Sequence, residues 1–181
     1  MIFNSGNIGL FRRNRIEPDR PVLRPELEPV DWLIESVALV GVMILAGYVI
    51  YHFPKLPGTI PTHFNGAGLA DEFGDKKDFL VLPGIALFIY VFLTIINRVP
   101  HLFHYPGKIT PLNAMRQYTL ATRMIRILKS TLIWMFFYVS YATIRITKNP
   151  ASGLGVWFIP VFIALLFIPI SIYFVMALKK S

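Results

Sequence analysis

Long apolar runs alternate with short polar segments along this chain. A helix needs about 20 apolar residues to cross the hydrocarbon layer of a bilayer. Four runs reach that length, at about 32–53, 79–97, 127–146 and 156–178. The third carries Lys129 and Arg145 near its two ends, where long cationic side chains snorkel to the interface. The pattern predicts an all-α integral membrane protein, a four-span helical bundle.

The polar segments between the runs differ in kind. Residues 1–31 include "EPDRPVLRPELEP", whose prolines exclude a helix interior and whose charges leave little apolar surface to bury. They read as a proline-rich, mobile cytoplasmic tail, with residues 32–181 as the membrane domain. No small-residue cleavage site follows the first run, so it is expected to stay as an anchor. Between the second and third runs, Thr110 and Pro111 read as a cap and a first helical residue. Leu112, Met115, Leu120, Met124, Ile127 and Leu128 then recur with Arg116, Arg123, Arg126 and Lys129 interleaved. An amphipathic helix over 111–130 is expected, continuous with the third span, so that its first turns protrude from the membrane. Pro160 and Pro169 fall in the fourth span. They read as packing irregularities, which membrane helices tolerate, or as a hinge.

Composition strengthens the membrane reading. The 181 residues are 55% hydrophobic and only 15% charged, against about 25% charged in ordinary soluble domains. The absence of cysteine excludes disulfides, Cys-based zinc sites and thiol nucleophiles. A net charge of +8 first suggests nucleic acid, but the cations flank apolar runs instead of clustering on a soluble domain. No nucleic-acid partner is expected; the bilayer is. With the N-terminus in the cytoplasm, the inner segments hold 13 Lys and Arg and the outer ones 5. The positive-inside rule then gives an N-in, C-in topology, and the membrane is expected to be a bacterial cytoplasmic one. It places residues 54–78 outside, as a compact extracytoplasmic loop between spans one and two.

That loop is the densest polar cluster, with His63, Asn65, Asp71, Glu72, Asp75 and Asp78. His63, Asp71 and Asp75 are weak metal candidates, but their spacing fits no calcium or zinc template. Neither a metal nor another cofactor is expected. The plainer reading is a loop whose Asn and Asp side chains satisfy its own turns and whose glycines allow positive φ. On the third span Trp134, Tyr138, Tyr141 and Arg145 share one helical face. This is a packing seam or a binding surface. Arg145, at its outer end, is expected to form an ion pair with Asp71, Glu72, Asp75 or Asp78 and so pin the loop. Glu35, the lone carboxylate within a span, is expected to pair with Arg126 or Lys129. No catalytic triad, phosphate loop or metalloprotease pair can be located, so no enzyme is expected and no catalytic residue is named.

The stretch "LPGTIPTHFNGAGLADEFGDKK" resembles the motif of the membrane family known as domain of unknown function 1648. The family pattern falls on Ile60, Pro61, His63, Phe64, Asn65, Gly68, Asp71, Gly74 and Lys76, followed by Pro83. The resemblance extends over about residues 35–146. The same domain forms the N-terminal part of SdpI-type immunity proteins, which protect a producer from its secreted peptide toxin and sequester a repressor. The resemblance implies a sensing or immunity protein that meets an extracellular peptide through the 54–78 loop. The alternatives are an accessory subunit of a larger membrane complex and, third, a small transporter. The chain differs from SdpI-type members in its four spans and its proline-rich tail.

Overall fold

A computed structural model of the chain describes residues 20–150 and 152–179. The expected tail before Arg20, and Lys180, lie outside the described residues. Among the described residues, four helices are long and apolar enough to cross a membrane. They are α1 (Pro29–His52), α2 (Val81–Ile96), α3 (Ala114–Lys148) and α4 (Phe158–Leu178). The protein is thus a mostly helical, multi-pass membrane protein.

It is not all-α. The loop between α1 and α2 folds into two antiparallel strands, β1 (Thr59–Phe64) and β2 (Ala70–Asp75). Pairing runs from Thr59 opposite Asp75 to Phe64 opposite Ala70, with irregularities on either side of His63. Such bulges twist a ribbon and break the alternation by which a strand is recognised in sequence.

Residues 20–28, read above as the end of a mobile tail, are docked. Arg20 Nη1 donates to the Phe103 carbonyl at 2.8 Å, and the Tyr118 hydroxyl donates to the Pro21 carbonyl at 3.0 Å. Leu23 packs against buried Ile109, Ala114 and Tyr118. α1 starts three residues earlier than its apolar run because Pro29 sits at its first position, where the missing N–H has no intrahelical partner to lose. The backbone N–H of Glu28 donates to the Asp31 carboxylate at 3.1 Å and fixes the helix entry.

α2 has 16 residues, about 24 Å, which is short of the hydrocarbon thickness. A 3-10 turn at Lys76–Leu80 lengthens the apolar stretch to 21 residues. Pro83 falls in the first turn of α2, and Pro160 in the first turn of α4, where a missing donor is harmless. Of the two prolines of the fourth span, only Pro169 lies inside the helix.

α3 is continuous over 35 residues, about 52 Å, and organises the bundle. It runs parallel to α1, and α1, α2 and α4 all pack on it. α1 turns a buried stripe of Asp31, Ala38, Gly41, Leu45 and Val49 toward the interior. In lipid, small residues let helix backbones approach, since apolar burial alone gives little drive. A Cβ on Gly41 would stand 2.9 Å from Ile133 Cγ2. α3 begins at Ala114, not at Pro111, because Asn113 folds back: its Oδ1 accepts from the Thr110 N–H and its Nδ2 donates to the Lys108 carbonyl. Nor do the first turns of α3 stand alone. Arg116 Nη2 donates to Met176 O at 2.7 Å and Gln117 Nε2 to Ala177 O at 2.9 Å, so α3 satisfies the last carbonyls of α4.

Candidate functional site: the hairpin and its clasp

The motif residues gather in the hairpin, and most have a structural task there. Asn65 opens the turn between the strands. Its Oδ1 accepts from the N–H groups of Ala67 and Leu69 at 3.0 and 3.1 Å, while its own N–H donates to Leu69 O. This local satisfaction is what Asn does best in turns. Gly68 has φ +76°, a left-handed value that L side chains rarely take. Pro61 is buried in β1 opposite Phe73, and Phe64 packs against Ala142, Ile146 and Leu154. Gly74 lies opposite Ile60. The N–H of Lys76 donates to Gly58 O, and its ammonium lies 5.5 Å from the Phe53 ring.

His63 and Asp71 form the hairpin's exposed polar pair. His63 Nδ1 donates to Asp71 Oδ1 at 2.6 Å, and the two side chains are 59% and 40% exposed. The hydrogen bond and charge of Asp71 raise the His63 pKa above its ordinary value of 6.5. Asp75, the third metal candidate, points elsewhere and caps the 3-10 turn by accepting from the Lys77 N–H at 2.7 Å. Among the described residues, no three His, Asp or Glu side chains converge as a metal set.

The expected ion pair of Arg145 with a hairpin carboxylate is not present among the described residues. Instead of a hairpin carboxylate, its guanidinium donates to the Gly153 carbonyl in the α3–α4 loop and lies 5.9 Å from the Tyr141 ring. The Tyr138 hydroxyl donates to the next carbonyl, Leu154 O, at 2.5 Å. The Leu154 N–H in turn donates to Gly68 O at 2.7 Å. α3 therefore grips the loop at 153–154, and the loop grips the hairpin turn. The fit is tight, for a Cβ on Gly153 would stand 2.6 Å from Gly68 O.

One edge of the hairpin is packed and the other is free. β1 lies against α3 and the 3-10 turn. Beyond their pairing to β1, the backbone groups of Asp71 to Phe73 have no partner among the described residues. Asp71, Glu72 and Phe73 are exposed, Phe73 at 58%.

At the opposite end of the bundle lies a charge ladder, of which only the Glu35 pairing was expected. Arg123 grips Asp31 through two bonds, Nε to Oδ1 and Nη2 to Oδ2, both 2.9 Å, and reaches Glu28 at 2.8 Å. Arg126 lies 3.6 Å from Asp31 and 3.2 Å from Glu35. Lys129 Nζ donates to Glu35 at 2.6 Å and to Thr94 Oγ1 at 2.8 Å. The expected Glu35 pairing is present with both cations. The expected snorkelling of Lys129 is not, since it is 0% exposed. Acids at 28, 31 and 35 facing bases at 123, 126 and 129 were a readable signal, as both series advance by three or four residues. Three carboxylates meet three cations, so the ladder is neutral.

Comparison with known proteins adds a family and little else. No solved structure matches. A protein of Archaeoglobus fulgidus, named only as "Uncharacterized protein", is 29% identical over 87 residues, which cover 44% of this chain and 48% of that protein. The chain thus spans about half the length of the curated relative it matches. Residues 38–87 match the family described as "Domain of unknown function (DUF1648)", and the stretch from the middle of α1, through the hairpin, to the first turns of α2 carries that domain.

Proposed function

We propose that the protein is a non-catalytic membrane sensor that meets an extended extracellular peptide through the hairpin, in the manner of SdpI-type immunity proteins. The observation that carries this reading is the free edge of β2. A strand edge with unpaired N–H and C=O groups accepts an extended peptide as a third strand. The clasp from α3 holds that edge in one place, so binding has little ordering cost. The exposed carboxylates Asp71 and Glu72 favour a cationic peptide. In this reading both termini lie in the cytoplasm of a bacterial cell and the hairpin faces outward, as the distribution of Lys and Arg supports.

An accessory subunit is the second reading, favoured by a different observation. A groove of about 690 Å³ runs between α3 and α4, lined by Trp134, Tyr138 and Trp157. Transport has less support, because Glu35 is tied into the ladder with no second carboxylate beyond it.

Photo-crosslinking separates the readings. A photoreactive phenylalanine analogue at Phe73, irradiated in living cells that secrete their own peptides, is expected to yield a small peptide adduct. The same analogue at Leu112, which is 99% exposed at the other end, is expected to yield none. Adducts only with large membrane proteins would replace the sensor by the subunit. An unchanged sensitivity to the captured peptide after deletion of the protein would remove the immunity role.

A further inference from the structure

Next to the charge ladder, a groove of about 430 Å³ opens between α1 and α2. Its apolar part is formed by Leu27, Trp32, Leu39 and Tyr90. Trp32 and Leu39 are 59% and 45% exposed, on the face of α1 that would meet acyl chains. Its polar part is cationic. Arg24 and Arg98 line it, and neither side chain has a hydrogen bond or ion pair among the described residues. Arg126 lines it too, buried to 7% exposure, with its Nε lacking a hydrogen bond of good geometry. Asn97 adds a buried Oδ1 acceptor without a donor. Glu35 is the carboxylate of the wall, and Lys129 and Arg126 already offset it. Since the ladder is balanced three against three, Arg24 and Arg98 stand as uncompensated charge at the mouth of a half-apolar groove.

We infer that this groove is a binding site for an anionic phospholipid, with the phosphate held by Arg24 and Arg98 and an acyl chain along Trp32 and Leu39. Planar guanidinium groups take phosphate oxygens in pairs, which fits two arginines on one rim. Asn97 Oδ1 would accept from a headgroup hydroxyl, which favours a glycerol headgroup over choline. Basic pockets between membrane helices hold anionic headgroups by this combination of charge and apolar surface. The site lies at the end of the bundle remote from the hairpin, so it stands or falls apart from the sensor reading.

The test is native mass spectrometry of the full chain in mild detergent, titrated with phosphatidylglycerol or with phosphatidylcholine of the same acyl chains. The wild-type protein is expected to retain phosphatidylglycerol preferentially. Each arginine is expected to contribute about five-fold, so Arg24→Gln with Arg98→Gln should weaken retention roughly 25-fold. Circular dichroism confirms that the double variant is folded. Lys108→Gln with Lys179→Gln removes the same charge from the same end, outside the groove, and should leave the preference intact. Three results would overturn the inference: no preference in the wild type, equal losses in both double variants, or displacement of the lipid by inorganic phosphate at matched concentration. The last would assign the two arginines to a free anion.

Discussion

Lys129 shows what a single side chain can demand of a membrane bundle. It has no exposed surface; its ammonium donates to Glu35 and Thr94 and lies 4.8 Å from the centre of the Tyr90 ring. Removing one member of a buried pair leaves the other charged and uncompensated, whereas replacing both with apolar groups is close to neutral. Lys129→Met alone leaves Glu35 with Arg126 only and the ladder one positive charge short, and is expected to destabilise the protein by about 3 kcal/mol in detergent unfolding. Glu35→Leu with Lys129→Met should recover most of that loss. The pairing was legible because a lone carboxylate in an apolar run must find a cation. Asp31 carried a readable spacing too, but its proline-rich neighbours assigned it to a tail. His63 poses a different question, one of pH. Its pKa is raised by Asp71 above 6.5, so the pair contributes its full stabilisation below about pH 6.5. That contribution is lost as pH rises through the raised folded-state value. Nuclear magnetic resonance titration of the imidazole should show the His63 midpoint move down in Asp71→Asn.

At the scale of elements, the four helices were readable because apolar length is a strong signal in membrane chains. The strands were not. β1 contains Pro61 and two irregular steps around His63, and β2 contains Gly74, so neither alternates cleanly. The motif located the hairpin without disclosing that it is one. What fixes it to the bundle was hidden further still, because "ASGLG" at 151–155 has no pattern that announces a clasp. Gly153→Ala places a Cβ 2.6 Å from Gly68 O and must separate loop from turn. Hydrogen exchange is expected to lose protection at the Leu154 amide and around residues 65–69, at a cost of about 1–3 kcal/mol, with the helices unchanged. Equal loss of protection in α1 and α3 would mean that the clasp is part of the bundle core instead of a fastening for the hairpin.

At the scale of the whole molecule, two polar structures occupy opposite ends of an apolar middle. One end has the hairpin, with its clasp and its free strand edge. The other has the charge ladder, the docked segment 20–28 and most of the cations. Orientation rests on charge counting alone, and the function proposed for the hairpin depends on it, since a secreted peptide reaches only the outer face. The chain contains no cysteine, so single-cysteine variants report position without background. Gly66→Cys at the hairpin tip and Leu112→Cys at the other end are both exposed. Treated in intact cells with a membrane-impermeant maleimide, Gly66→Cys should label at once, and Leu112→Cys only after the membrane is broken. Labelling of Leu112→Cys alone in intact cells would place the hairpin in the cytoplasm and contradict the account.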